Sequence, residues 1–143
     1  MTENERIFLD TNILVYAFDL SEKTKHEKCR KIISECFEGK KNFYLSNQSL
    51  AEFVSVVSKK IETPLPFSEI KEIIQEINSV NSWKKINYSN KTIESLLMQD
   101  LKTSFWDSLI AETMKENNVF VIYTENTKDF NKIQGIKAVN PLA

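Results

Sequence analysis

The chain has 143 residues and a formal net charge of −1, with 41% hydrophobic and 27% charged residues. This composition predicts a single globular domain over residues 1–143 and excludes disordered, collagen-like and low-complexity proteins. The longest apolar run, residues 13–18, is far shorter than the ~20 residues that cross a bilayer. Glu3 and Glu5 stand where a secretion signal would carry positive charge. We therefore expect a cytoplasmic protein with no membrane-bound segment.

The types of charged and metal-binding residues narrow the function further. A near-neutral balance argues against holding nucleic acid by bulk electrostatics, and only two of the 19 basic residues are Arg, which limits bidentate phosphate recognition. Cys29 and Cys36 are seven residues apart in a predicted helix, a spacing typical of small buried side chains on one helix face. With His26 as the lone histidine, a zinc site or a His-based triad is not expected.

The first half of the chain alternates short apolar strands with amphipathic helices. A strand over residues 7–9 ends at Asp10, and a second strand covers residues 43–45. Helices are predicted from about residue 12, over residues 22–37 and from Ser46 onward.

The second half continues the same alternation after a break at Pro64 and Pro66. We predict helices capped by Ser68, by Ser89 (with Leu97 on its apolar face) and by Ser104, the last ending at Asn117 and Asn118. A weak strand covers residues 83–87, a strand buried on both faces covers residues 119–123, and a last strand covers residues 136–139. This order predicts a parallel sheet covered by helices on both sides, an α/β sandwich.

Acidic and polar residues follow two of the predicted strands or lie early in helices. Ligands of open parallel sheets bind beyond the carboxyl ends of the strands, which makes the residues there candidates for a site. Glu52 and Asp107 each interrupt an apolar stretch, where a carboxylate is costly to bury without compensation. The residues that follow the strands are Asp10, Thr124, Glu125, Asn126 and Asp129.

Each acidic residue also has a purely structural interpretation. Asp10 is a suitable helix cap, Ser49 with Glu52 and Ser104 with Asp107 both fit the capping-box spacing, and Asp129 fits an ordinary loop acid. If the carboxylates do converge about 5 Å apart, each pair repels by roughly 3 kcal/mol at an effective dielectric constant of 20. A bound cation would relieve that repulsion, and an all-oxygen ligand set favours Mg²⁺ or Mn²⁺ over zinc.

Four segments together resemble the PIN-domain nucleases, and most closely the VapC-type toxins of toxin–antitoxin pairs. The matching segments occur in the family's order over nearly the whole chain. They are Leu9-Asp10-Thr11-Asn12, Ala51-Glu52-Phe53, Phe105-Trp106-Asp107-Ser108-Leu109-Ile110-Ala111 and Thr124-Glu125-Asn126-Thr127-Lys128-Asp129-Phe130.

The resemblance implies a PIN-like three-layer α/β/α sandwich and a Mg²⁺-dependent endoribonuclease in which Mn²⁺ can substitute. Asp10 and Asp107 would be the principal metal ligands, and Glu52 would be a further ligand or would position the attacking water. Asp129 would be the fourth acidic residue. Some family members instead carry their fourth acid at the position of Asn126, so the choice between Asp129 and Asn126 stays open. Asn12, Thr124 and Asn126 would be supporting polar residues of the pocket.

The implied reaction is in-line attack of water on an RNA phosphodiester, which leaves a 5′-phosphate and a 3′-hydroxyl. The implied partners are single-stranded RNA, a small antitoxin protein and a second copy of the chain in a homodimer. Two alternatives stay open: a PIN enzyme that processes RNA without a toxin role, and a degenerate PIN fold that only binds.

Overall fold

The computed structural model describes residues 5–143. Glu3, which was weighed against a secretion signal, lies outside the described residues. Within them the structure has five short strands and seven helices. The strands are β1 (Ile7–Leu9), β2 (Phe43–Ser46), β3 (Trp83–Ile86), β4 (Val121–Tyr123) and β5 (Lys137–Val139). The helices are α1 (Thr11–Tyr16), α2 (Lys23–Phe37), α3 (Asn47–Lys59), α4 (Phe67–Ser79), α5 (Asn90–Leu97), α6 (Phe105–Glu116) and α7 (Thr127–Phe130).

The five strands form one all-parallel sheet in the order β3-β2-β1-β4-β5. The chain builds outward from β1 in one direction through β2 and β3, and in the other through β4 and β5. The carboxyl ends of β1 and β4 therefore meet where the strand order reverses, the place at which open α/β sheets bind ligands.

Side chains alternate across the sheet and build a core on each face. In β1, Ile7 and Leu9 belong to a larger core packed with side chains of α1 to α4, whereas Phe8 points into a second core. That second core contains Ile110 and Met114 of α6 and Phe130 of α7. The predicted three-layer α/β/α sandwich with a central parallel sheet is confirmed.

Several local details differ from the sequence predictions. Pro66, not Ser68, stands at the N-cap of α4, and Leu97 is 74% exposed because α5 is a short surface helix that ends at this residue. The strand predicted over residues 119–123 is shortened to β4, and Phe120 before it is exposed. None of the helices in residues 5–143 is long and apolar enough to cross a membrane.

Helix α3 begins at a buried capping box that fixes the position of Glu52. The Ser46 side chain accepts a hydrogen bond from the Ser49 backbone N–H at 3.1 Å, and Ser49 Oγ accepts one from the Ser46 N–H at 2.9 Å. The Ser46 side chain thus satisfies the Ser49 N–H, and Ser49 satisfies the Ser46 N–H, so neither donor is left unpaired in the core.

We predict that Ser46→Ala lowers the free energy of unfolding by about 1–2 kcal/mol, because it removes this cap. Ser58→Ala, near the other end of the same helix, is the matched control, since the Ser58 hydroxyl makes only an exposed hydrogen bond to the Ser55 carbonyl. Denaturant unfolding measures both variants. An equal effect of the two substitutions would contradict the structural role of the cap.

Candidate active site

Asp10 lies at the carboxyl end of β1, in the centre of the sheet, and is 8% exposed. Its Oδ2 atom accepts a hydrogen bond from Thr124 Oγ1 at 2.6 Å, and its Oδ1 atom accepts one from the Thr11 backbone N–H at 2.8 Å. Asp10 is therefore the N-cap of α1, as the structural interpretation suggested. Oδ2 also accepts a longer hydrogen bond from Asn12 Nδ2 at 3.4 Å. The cap does not exclude a second role, because Oδ1 retains a further lone pair.

Asp10 carries an unfavourable charge in this position. Burial raises its pKa to about 6, hydrogen bonds from Thr124 and Thr11 oppose the rise, and the negative charges of Asp107 and Glu52 add to it. Those Coulombic contributions place three carboxylates within electrostatic reach of one another.

Glu52 lies in the second turn of α3, because the helix starts at Asn47. It cannot close the capping box suggested for Ser49 and Glu52, because Ser46 is the residue that caps this helix. Burial raises the pKa of Glu52, and the charge of Asp107 raises it further, while hydrogen bonding with Gln48 and Thr11 works against the rise. Glu52 therefore does not cap its own helix, and its carboxylate lies within the electrostatic reach of Asp107.

Asp107 lies in the first turn of α6, where its backbone N–H donates to Ser104 Oγ at 3.1 Å. Its side chain turns toward the polar segment after β4 and accepts a hydrogen bond from Asn126 Nδ2 at 3.2 Å. Burial raises the pKa of Asp107, as does the charge of Asp129, despite the hydrogen bonds with Ser104 and Asn126.

One open cavity of about 550 Å³, which we call the acidic pocket, joins these side chains. Its lining includes Asp10, Asn12, Glu52, Asp107 and Asn126 from the predicted site. Among its other lining residues are Tyr16, Asp19 and Lys60, which were not predicted as site residues.

Asp129 lies further out and does not line the acidic pocket. Its Oδ1 atom pairs with Lys132 Nζ at 3.3 Å, and hydrogen bonds from Lys132 and Asn126 lower its pKa. Asn126 is therefore the residue after β4 that reaches the pocket, while the charge of Asp129 still acts on Asp107. Thr124 links the two strand ends, because its hydroxyl donates to Asp10 and accepts from the Asn126 N–H at 2.9 Å.

A cluster of three polar side chains forms the rim beside α2. Tyr16 donates to Glu125 Oε1 at 2.6 Å, and Lys25 Nζ lies 2.9 Å from Glu125 Oε2. Burial favours the neutral form of Glu125, but the hydrogen bonds from Tyr16 and Lys25 outweigh it and lower its pKa. Glu125 is thus a carboxylate at the rim of the pocket that is paired with Tyr16 and Lys25. In the sequence, its position directly after a predicted strand is what made it a candidate.

The residues of the acidic pocket fit a hard divalent cation in chemical type. All the candidate ligand atoms are oxygens, and the buried Asn12 Oδ1 atom accepts no hydrogen bond from any residue in the range 5–143. Within that range no three acidic, His or Cys side chains are close enough to form a complete metal cage. Mg²⁺ does not need one, because it usually keeps several waters and takes one or two protein carboxylates.

We predict that in EDTA the Asp10→Asn protein is more stable than wild type at pH 8, by about 1–3 kcal/mol. A carboxyl whose folded pKa is raised from 3.8 to about 6 contributes fully to stability below pH ~3.8 and loses that contribution as the pH rises through about 6. The advantage of the variant should therefore shrink toward pH 4.

Denaturant unfolding across this pH range measures the difference. Asp100→Asn is the control, because the Asp100 side chain is 94% exposed and its substitution removes no buried charge. An Asp10→Asn protein that is less stable than wild type at pH 8 would contradict the assigned cost of the buried charge.

Comparison with known structures finds the same fold in several toxin–antitoxin proteins. A toxin–antitoxin complex from Klebsiella pneumoniae matches at a TM-score of 0.63 and 22% identity, covering 94% of this chain and 97% of that one. VapBC2 from Rickettsia felis, bound to a DNA fragment from its promoter, matches at 0.61 and 22%, covering 94% and 98%. Mycobacterium tuberculosis VapC20, described as a sarcin-ricin loop cleaving toxin, matches at 0.62 and 14%, covering 88% and 94%.

A comparison with curated proteins finds no match. The model of the PIN domain family, in contrast, matches residues 7–136, which include all four segments that carried the resemblance in the sequence. The chain therefore belongs to the PIN domain family, a family of nucleases.

Proposed function

We propose that this protein is a divalent-cation-dependent endoribonuclease and the toxin of a toxin–antitoxin pair. The observation that carries the proposal is that the buried Asp10 carboxylate lines one cavity together with Asp107 and Glu52, at the carboxyl end of β1. Three mutually repelling carboxylates are costly in a structure unless a cation compensates them. PIN family membership and the toxins that share the fold support the same assignment.

In the proposed mechanism Asp10 and Asp107 hold Mg²⁺ or Mn²⁺, with Asn12 Oδ1 as a neutral oxygen nearby. When bound, the cation supplies positive charge to the phosphodiester and makes water more acidic. Thr124 fixes the rotamer of Asp10 through the 2.6 Å hydrogen bond, and Asn126 orients Asp107. These contacts keep the two carboxylates aimed at the pocket before substrate arrives.

Glu52 is the residue we assign to the attacking water. Its raised pKa makes it a better proton acceptor than an exposed glutamate, and it lines the same pocket as Asp107. Lys60, at the C-cap of α3 and on the lining of the same pocket, is placed to bind a phosphate oxygen of the RNA. Asp129 acts from outside the pocket by adding negative charge near Asp107.

We predict that Asp10→Asn and Asp107→Asn each lower RNA cleavage by at least about 100-fold, because losing even a supporting contact of a metal site costs 10–100-fold. A mixed RNA pool incubated with Mg²⁺ or Mn²⁺ provides the assay, and EDTA should abolish cleavage. Asp100→Asn, an exposed acid outside the pocket, should cleave as wild type does. Equal cleavage by wild type and Asp10→Asn would refute the assignment.

The position of Asp129 gives a second prediction. Its carboxylate is paired with Lys132 on the surface, so Asp129→Asn should lower cleavage by no more than about fivefold, the range that exposed charge pairs contribute. The same RNA assay measures it beside Asp107→Asn. A loss as large as that of Asp107→Asn would place Asp129 among the metal ligands after all.

We also propose inhibition by a small antitoxin protein, since several structures of this fold are toxin–antitoxin complexes. The homodimer implied by the resemblance in the sequence is part of the same proposal. Co-expression with the protein encoded beside it should block RNA cleavage by the purified complex. A neighbouring protein that neither binds nor inhibits would instead favour an RNA-processing enzyme without a toxin role. The site we propose, its cation and the cytoplasmic location do not differ between these two roles.

A further inference from the structure

A second groove lies on the other side of Glu52 from the acidic pocket. We call it the aromatic groove; it has a volume of about 510 Å³. Glu52 and Ser55 line both cavities, so the two form neighbouring compartments. The other residues that line the aromatic groove are Asn47, Gln48, Ala51, Tyr88 and Trp106.

We propose that the aromatic groove binds an unpaired base of the RNA, stacked on Trp106, next to the phosphate that is cleaved. The inference rests on the proposed function, which it extends from a reaction to a mode of substrate recognition. It assigns a binding role to residues that no part of the carboxylate chemistry requires.

Trp106 is the first reason for the proposal. Its side chain is 59% exposed, whereas Trp83, the second tryptophan in residues 5–143, is 1% exposed in the core. Trp106 directly precedes Asp107 on α6, so a base on this ring lies one residue away from a pocket carboxylate. The ring of Phe105 packs edge-on against it at a centroid distance of 5.4 Å, which restricts its motion.

Two amide side chains give the groove polar groups that suit the edge of a base. Gln48 is 8% exposed, and its Nε2 group donates to the Trp106 carbonyl at 3.3 Å. Its buried Oε1 atom accepts no hydrogen bond from the described part of the chain. Asn47 is exposed, and its Oδ1 atom accepts the Gln48 N–H at 3.0 Å, which leaves its NH₂ group as a donor.

The charge of the groove favours a base over a phosphate. Glu52 is the charged residue of its lining, and no Lys or Arg contributes to it. A phosphate would therefore be repelled, while a neutral base stacks well on an indole ring. The acidic pocket next to it contains Lys60 and the proposed cation ligands, so the backbone of the same nucleotide would lie there. A base can enter only from an unpaired strand, because a duplex keeps its bases stacked.

The test uses the emission of Trp106, because Trp83 is buried and shielded from a ligand. An unstructured RNA of about 12 nucleotides, long enough for a single-strand site, is titrated into the intact protein in EDTA. An abasic strand of equal length and a duplex are titrated in parallel. We expect the single-stranded RNA to quench the emission, and the abasic strand and the duplex to leave it unchanged.

Variants then locate the contact by a separate binding measurement with labelled RNA. Trp106→Ala should weaken binding by about tenfold or more, and Trp106→Phe should retain most of the affinity because it keeps a ring. The slope of affinity against salt concentration should stay as in wild type, since no phosphate contact is removed. Phe120→Ala, which removes an exposed ring that precedes β4 and does not line the groove, is the control and should bind normally.

Three results would overturn the proposal: binding by Trp106→Ala within about twofold of wild type, equal quenching by the abasic strand, or a Trp106→Ala effect on self-association without one on RNA binding.

Cleavage assays on the same proteins distinguish this proposal from the proposed nuclease function. If Trp106→Ala cleaves RNA as wild type does, the base-binding role of the groove is refuted and the nuclease function stands. If RNA binding depends on Trp106 but no protein cleaves RNA, the nuclease function is refuted and the base-binding role of the groove stands.

Discussion

The hydrogen bond between Thr124 and Asp10 joins the end of the central strand β1 to the end of its neighbour β4 and determines where the chemistry can occur. Asp10 follows β1 and Thr124 follows β4, two strands that are neighbours in the sheet although they are more than 100 residues apart in the chain. The bond holds a buried carboxylate in one orientation, and from Thr124 the contacts continue to Asn126 and Asp107. Helices α3 and α6 contribute Glu52 and Asp107. Their negative charges add to the free-energy cost of keeping Asp10 ionised in a buried position.

The strand and helix order could be predicted because the local signals agreed with the final packing. Short apolar strands alternate with helices whose caps are Ser46, Ser89 and Ser104, and these residues do begin α3, α5 and α6. The predictions were wrong where neighbours in space decide the outcome. Leu97 has helical spacing but ends a surface helix, and nothing in the local sequence distinguishes it from the buried Leu96.

The candidate site shows the same division between local and long-range information. Sequence motifs selected Asp10, Glu52 and Asp107, and the structure brings all three within electrostatic reach. The choice between Asn126 and Asp129 depends on the direction in which α7 runs after β4, which leaves Asp129 paired with Lys132 at the surface. Asp19 and Tyr16 reach the pocket only through packing between helices, so spacing along the chain could not reveal them.

The most direct test of this account is the effect of Mg²⁺ or Mn²⁺ on the unfolding free energy of wild type and Asp10→Asn at pH 8. A cation that binds among repelling carboxylates should stabilise wild type by about 2.7 kcal/mol at 100 times its dissociation constant. Asp10→Asn, which has lost one of these charges, should gain much less at the same concentration. Equal stabilisation of the two proteins, or none of either, would contradict the claim that Asp10 and its neighbours form a cation site.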